Sequence, residues 1–100
     1  MRDVEQIAAI IRKRLSAEWH FFEIAEVRVR ADIGEFGDEI LWVDVIYKGE
    51  YKNIDIKALT SVLALVRPEL ARIGEQALPV FSYVPVADAE KVRYAAEPTY

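Results

Sequence analysis

A chain of 100 residues, 53 % hydrophobic and 30 % charged, with a net charge of -4 and no cysteine, has the composition of one globular domain around one modest core. It is not that of a disordered tail, a collagen repeat or a coiled-coil rod. Without thiols there is no disulfide framework, no cysteine-ligated metal cluster and no cysteine nucleophile, and the negative balance argues against general nucleic-acid or anionic-membrane binding.

The opening residues Arg2, Asp3, Glu5 and Gln6 bring charge before any apolar run, so no signal-peptide core is expected there. No apolar stretch approaches the roughly 20 residues of a membrane span. The expected compartment is the cytoplasm.

Residues 3–18 place Val4, Ile7, Ala8, Ile11 and Leu15 on one stripe of a 3.6-residue period, which predicts a helix. Asp3 followed by Gln6 has capping-box spacing, and Arg12, Lys13 and Arg14 fall towards the helix end, where positive charge suits the dipole. From residue 25 to 33 the period becomes two, predicting a strand with Ala25, Val27, Val29, Ala31 and Ile33 inward. Gly34 and Gly37 frame a turn. Residues 40–48 then form a second strand, with Leu41, Val43, Val45 and Tyr47 on one face and Trp42, Asp44 and Ile46 on the other. The short connection predicts an antiparallel hairpin.

Asn53 or Asp55 caps a second helical segment with Ile56, Leu59, Leu63, Val66, Leu70 and Ile73 as its apolar positions. Pro68 either divides it into helices over 53–66 and 68–73 or kinks a single helix, because proline lacks the N–H a helix needs. Gly74 stops the segment, and 79–86 reads as a third strand whose prolines, Pro79 and Pro85, suit an edge. Asp88 caps a short helix to residue 94, and 97–100 is a flexible tail after a single domain over 1–96.

The order α-β-β-α(α)-β predicts an α+β two-layer sandwich. Its three-stranded mixed sheet has an antiparallel hairpin of the first two strands, a third strand parallel to the central second one, and helices on one face. The other face is left open.

Asp44 is the sharpest chemical candidate, since a carboxylate inside an apolar strand needs a partner or solvent, and equal parity across the hairpin offers Arg30 or Arg28. Glu35, Asp38 and Glu39 make an acidic turn without calcium-loop spacing. His20 is the single histidine, and Ser16, Ser61 and Ser82 stand in no nucleophile motif. No phosphate-binding glycine pattern occurs. No catalytic residue, metal ligand or cofactor is therefore assigned, and an enzyme is the less expected class.

Aromatic residues make up 11 % of the chain, more than so small a core readily absorbs. Trp42 and Ile46 on the outward face, with Phe36 at the hairpin tip, form an expected apolar patch, and Arg28, Arg30 and Asp44 form its polar surround. That arrangement predicts a small interaction or accessory protein whose partner is a protein, a second copy of itself included.

The element order over residues 3–86 resembles a type II KH domain, an RNA-binding α/β fold in which two helices meet at a G-x-x-G loop. Here the corresponding stretch reads Val66-Arg67-Pro68-Glu69-Leu70, without the glycines and with an acid where phosphate would approach. The resemblance implies RNA binding as the alternative function. Arg67, Arg72, Lys52 and Lys57 are the basic contributors on the chain and Tyr51 is a stacking residue. The run 66–75 followed by 78–83 is also similar to small bacterial proteins with toxin-like gene neighbours, which implies an accessory role.

Overall fold

The computed structural model describes residues 3–49 and 54–89. In chain order it contains α1 (Val4–Glu18), β1 (Glu23–Ile33), β2 (Glu39–Lys48), α2 (Ile56–Thr60), α3 (Val62–Arg72) and β3 (Leu78–Pro85), closed by a 3-10 turn at Val86–Asp88. Asn53, Tyr51, Lys52, the helix expected to reach residue 94 and the tail 97–100 lie wholly or largely outside the described residues.

Helix α1 starts where the Asp3 carboxylate accepts the Gln6 backbone N–H at 3.0 Å. Its Ile7, Ile11 and Leu15 are buried on the expected stripe. The helix runs on to Glu18, so Arg12, Lys13 and Arg14 precede the final turn, and Arg14 meets Glu18 at 3.5 Å instead of facing bare carbonyls.

The sheet order is β1-β2-β3, with β1 antiparallel and β3 parallel to the central β2. Leu41, Val43, Val45 and Tyr47 alternate along the inner face of β2 and are essentially sealed from solvent. Ile7, Ile11 and Leu15 of α1 and Val62, Val66 and Leu70 of α3 complete the core against them. The result is the two-layer α+β sandwich that the element order predicts.

Strand β1 departs from simple alternation. Ile24 pairs with Tyr47 and Glu26 with Ile46, leaving Ala25 as an extra residue opposite one rung of β2. Such a bulge shifts the parity by one. Ile24 and Val27 therefore both enter the core, and Ala25 leaves the inward set. At the hairpin end the inner side is uncovered, with Ala31 exposed and Ile33 70 % exposed.

The second helical segment divides at Ser61, and Pro68 lies inside α3 without ending it. Thr60 Oγ1 and Ser61 Oγ both donate to the Lys57 carbonyl, at 2.9 and 3.1 Å, which offers the backbone an alternative to the helical ladder at that point. Pro68 removes one N–H from the turn above Ala64, an exposed residue whose carbonyl can face water. Because the break resets the helical phase, Val62, Val66 and Leu70 form the buried stripe. Ile56 is 73 %, Leu63 37 % and Ile73 41 % exposed. Asp55 is the cap, accepting from Ala58 N at 3.3 Å.

Candidate interaction surface

The helices pack on one face of the sheet, and the other presents Glu26, Arg28, Arg30 and Asp32 from β1, Ile40, Trp42, Asp44 and Ile46 from β2, and Leu78, Val80, Ser82 and Val84 from β3. Trp42 lies between Arg30 on one side and Val80 on the other, at the middle of this surface. Its ring is half-buried by these neighbours. The indole N–H reaches past Arg30 to Asp32, donating to Oδ2 at 3.0 Å, while Oδ1 of the same carboxylate accepts the Ile33 N–H at 2.8 Å. These two bonds, the indole one foremost, hold the Asp32 carboxyl below the usual aspartate range.

Asp44 stands opposite Arg28, one of the two arginines expected. The guanidinium of Arg28 is forked onto Glu26 of its own strand, at 3.1 Å, and Asp44 makes no hydrogen bond or ion pair among the described residues. Partial burial pushes the Asp44 carboxyl up from its ordinary value, against the opposing pull of Arg30 and Arg28. The expected close ion pair is thus replaced by a half-buried carboxylate in a diffuse positive field.

The expected surface residues divide by exposure. Phe36 at the hairpin tip is 88 % exposed, but Ile46 is only 3 % exposed although it shares the outer face with Trp42. The 3-10 turn after β3 packs against β2, and the adjoining Val84 is 6 % exposed. The apolar side chains open to solvent on this face include Trp42, Val80 and Leu78; Phe36 is exposed at the hairpin tip and Ile33 on the opposite side of the sheet. Ile33 escaped the sequence reading because its parity assigned it to the core; the length of the hairpin relative to the helices was the missing signal.

Most of the described aromatics lie inward. Phe22 stacks on Tyr47 with centroids 4.7 Å apart, Trp19 meets Phe22 edge-on at 5.8 Å, and Tyr83 completes the group 6.0 Å from Trp19. Among the described residues the core absorbs more of the aromatics than composition suggests, which leaves Trp42 and Phe36 as their outward part. The Tyr83 hydroxyl is buried with no hydrogen-bond partner among the described residues, and desolvation pushes its pKa up to about 12.

Of the basic residues named for RNA, the described Arg67, Arg72 and Lys57 are dispersed. Arg67 borders a hollow lined by Pro68, Ala77 and Pro79, whereas Arg72 bonds Glu69 at 3.4 Å and borders a separate hollow with Lys13 and Arg14 between α1 and α3. Lys57 is in α2, a helix of 5 residues. The helices meet at Thr60-Ser61-Val62 and not at Val66-Arg67-Pro68-Glu69-Leu70, so neither stretch supplies the glycines of a G-x-x-G loop. Among the described residues no group of three or more metal-ligating side chains comes together, and no helix is long and apolar enough to cross a membrane.

No family model, curated protein or solved structure matches the chain.

Proposed function

We propose that the chain is a small protein–protein interaction domain whose contact surface is the helix-free face of the sheet, centred on Trp42, with self-association among its contacts. One observation carries the reading: on the sheet face away from the helices Trp42 stands beside Val80, with Leu78 49 % exposed on the same face and Phe36 88 % exposed at the hairpin end. An aromatic centre with a charged surround of Arg28, Arg30, Asp32 and Asp44 is the composition of a contact patch. The reading takes the cytoplasm as the compartment, in keeping with an acidic, cysteine-free composition.

Trp42→Ala is the test. Native mass and thermal unfolding are measured together on the purified protein. Weakened association with a folded monomer supports the reading, whereas an unchanged mass with lost thermal stability assigns Trp42 to internal packing alone.

A further inference from the structure

The sheet has two edges, and they differ. Strand β3 carries Pro79 and Pro85, which lack the N–H needed to bind a further strand. Strand β1 runs from Glu23 to Ile33 with no proline. Its only irregularity is the bulge at Ala25, near the end far from the hairpin. An edge of that kind is a template for another strand.

The outer-face charges along β1 read Glu26, Arg28, Arg30, Asp32. In an antiparallel pairing of this strand with its own copy, a twofold axis passes between the two copies of one residue, and residues equidistant from it in the chain stand opposite each other. An axis at Arg28, Arg30 or Asp32 sets that residue against itself. An axis at Val29 sets Arg28 against Arg30 and Glu26 against Asp32. Only an axis at Ala31, among residues 28–32, opposes no like charges, and it sets Arg30 against Asp32 twice. Arg30 is exposed and makes no ion pair among the described residues. On the inner side the same register lays Ile33, 70 % exposed, beside Val29 of the second copy and Ala31 beside Ala31.

We propose that the chain forms a homodimer by antiparallel pairing of its β1 edges about a twofold axis at Ala31, with reciprocal Arg30–Asp32 contacts. The two sheets become one of six strands, and their helix-free faces join into a single platform bearing both Trp42 rings. This rests on the self-association part of the function proposed above, but it assigns the seam to the edge and leaves the face available to another partner.

Charge exchange tests it by sedimentation equilibrium. Arg30→Glu and Asp32→Arg each create like-charge opposition and are expected to be monomeric alone, while a 1:1 mixture restores opposite charges at both contacts and forms a heterodimer. Should Asp32→Arg fail to fold, wild-type hydrogen exchange gives the same answer: alternate amides within residues 28–32 gain protection as concentration rises, the Ile33 amide being already bonded to Asp32. A mixture that stays monomeric while wild type dimerises, or amides there that show no concentration dependence, overturns the pairing. Leu78→Glu, on the outer face of the opposite edge strand, separates the two claims. If it dissociates wild-type dimers and the charge variants do not, the face contact stands and the edge pairing falls; the reverse result retains the edge. A wild-type chain of monomer mass throughout overturns self-association by either route.

Discussion

The Trp42 indole donates to the Asp32 carboxylate at 3.0 Å, one diagonal step across the β1–β2 hairpin from its direct neighbour Arg30. This bond ties the largest side chain of the outer face to the exposed end of the edge strand. It also explains why the Asp32 carboxyl titrates below the ordinary aspartate range. A carboxyl with a lowered folded pKa contributes stability above its unfolded value and loses that contribution as pH falls through the folded one. Acid titration of tryptophan fluorescence is therefore expected to show a transition below the usual aspartate range in wild type and none in Asp32→Asn. A wild-type signal without that transition contradicts the bond.

Asp44 has the opposite sign. Burial disfavours its charged form, so its contribution to stability is complete below the unfolded pKa and is lost as pH rises through the higher folded value. Asp44→Asn is expected to leave stability at neutral pH unchanged or raise it by less than ~1 kcal/mol, solvent screening limiting the gain. Denaturant unfolding measures it. A large loss would show that the carboxylate is held by a strong pair.

Tyr83 presents a buried hydroxyl without a hydrogen-bond partner among the described residues. Tyr83→Phe keeps the ring beside Trp19 and removes the desolvated oxygen, with an expected gain of about 1 kcal/mol in the unfolding free energy. Loss of stability on the substitution would reveal a hydrogen bond at that oxygen.

Pro68 interrupts the ladder of α3 without ending the helix. Pro68→Ala restores an N–H towards Ala64 and is expected to stabilise by ~1–2 kcal/mol, the helical gain being partly offset by a more flexible unfolded chain. Thermal unfolding of the variant checks the sign. Were the segment two helices parted at Pro68, the gain would vanish.

The helix and hairpin architecture was legible because α1 and β2 carry unbroken periods of their own: Ile7, Ile11 and Leu15 at helical spacing, Leu41 to Tyr47 at alternating spacing. Three features were not. The bulge at Ala25 is a tertiary adjustment that brings both Ile24 and Val27 inward, and no turn residue announces it. The break at Ser61 arises from hydroxyls bonding back to Lys57, a weaker sequence signal than the proline seven residues later. Of the candidate surface, Trp42 and its arginines were placed by parity alone. The burial of Ile46 and the exposure of Ile33 depend on how far the neighbouring elements reach along the sheet, which parity does not encode.

The most direct test of the account is the mass of the wild-type chain in solution as a function of concentration, measured by sedimentation equilibrium beside Trp42→Ala. A wild-type mass rising from one chain to two is predicted, with the rise of the folded variant shifted to higher concentration because the Trp42 indole holds the Asp32 carboxylate that the edge pairing uses. A wild-type mass of one chain at every concentration would contradict it.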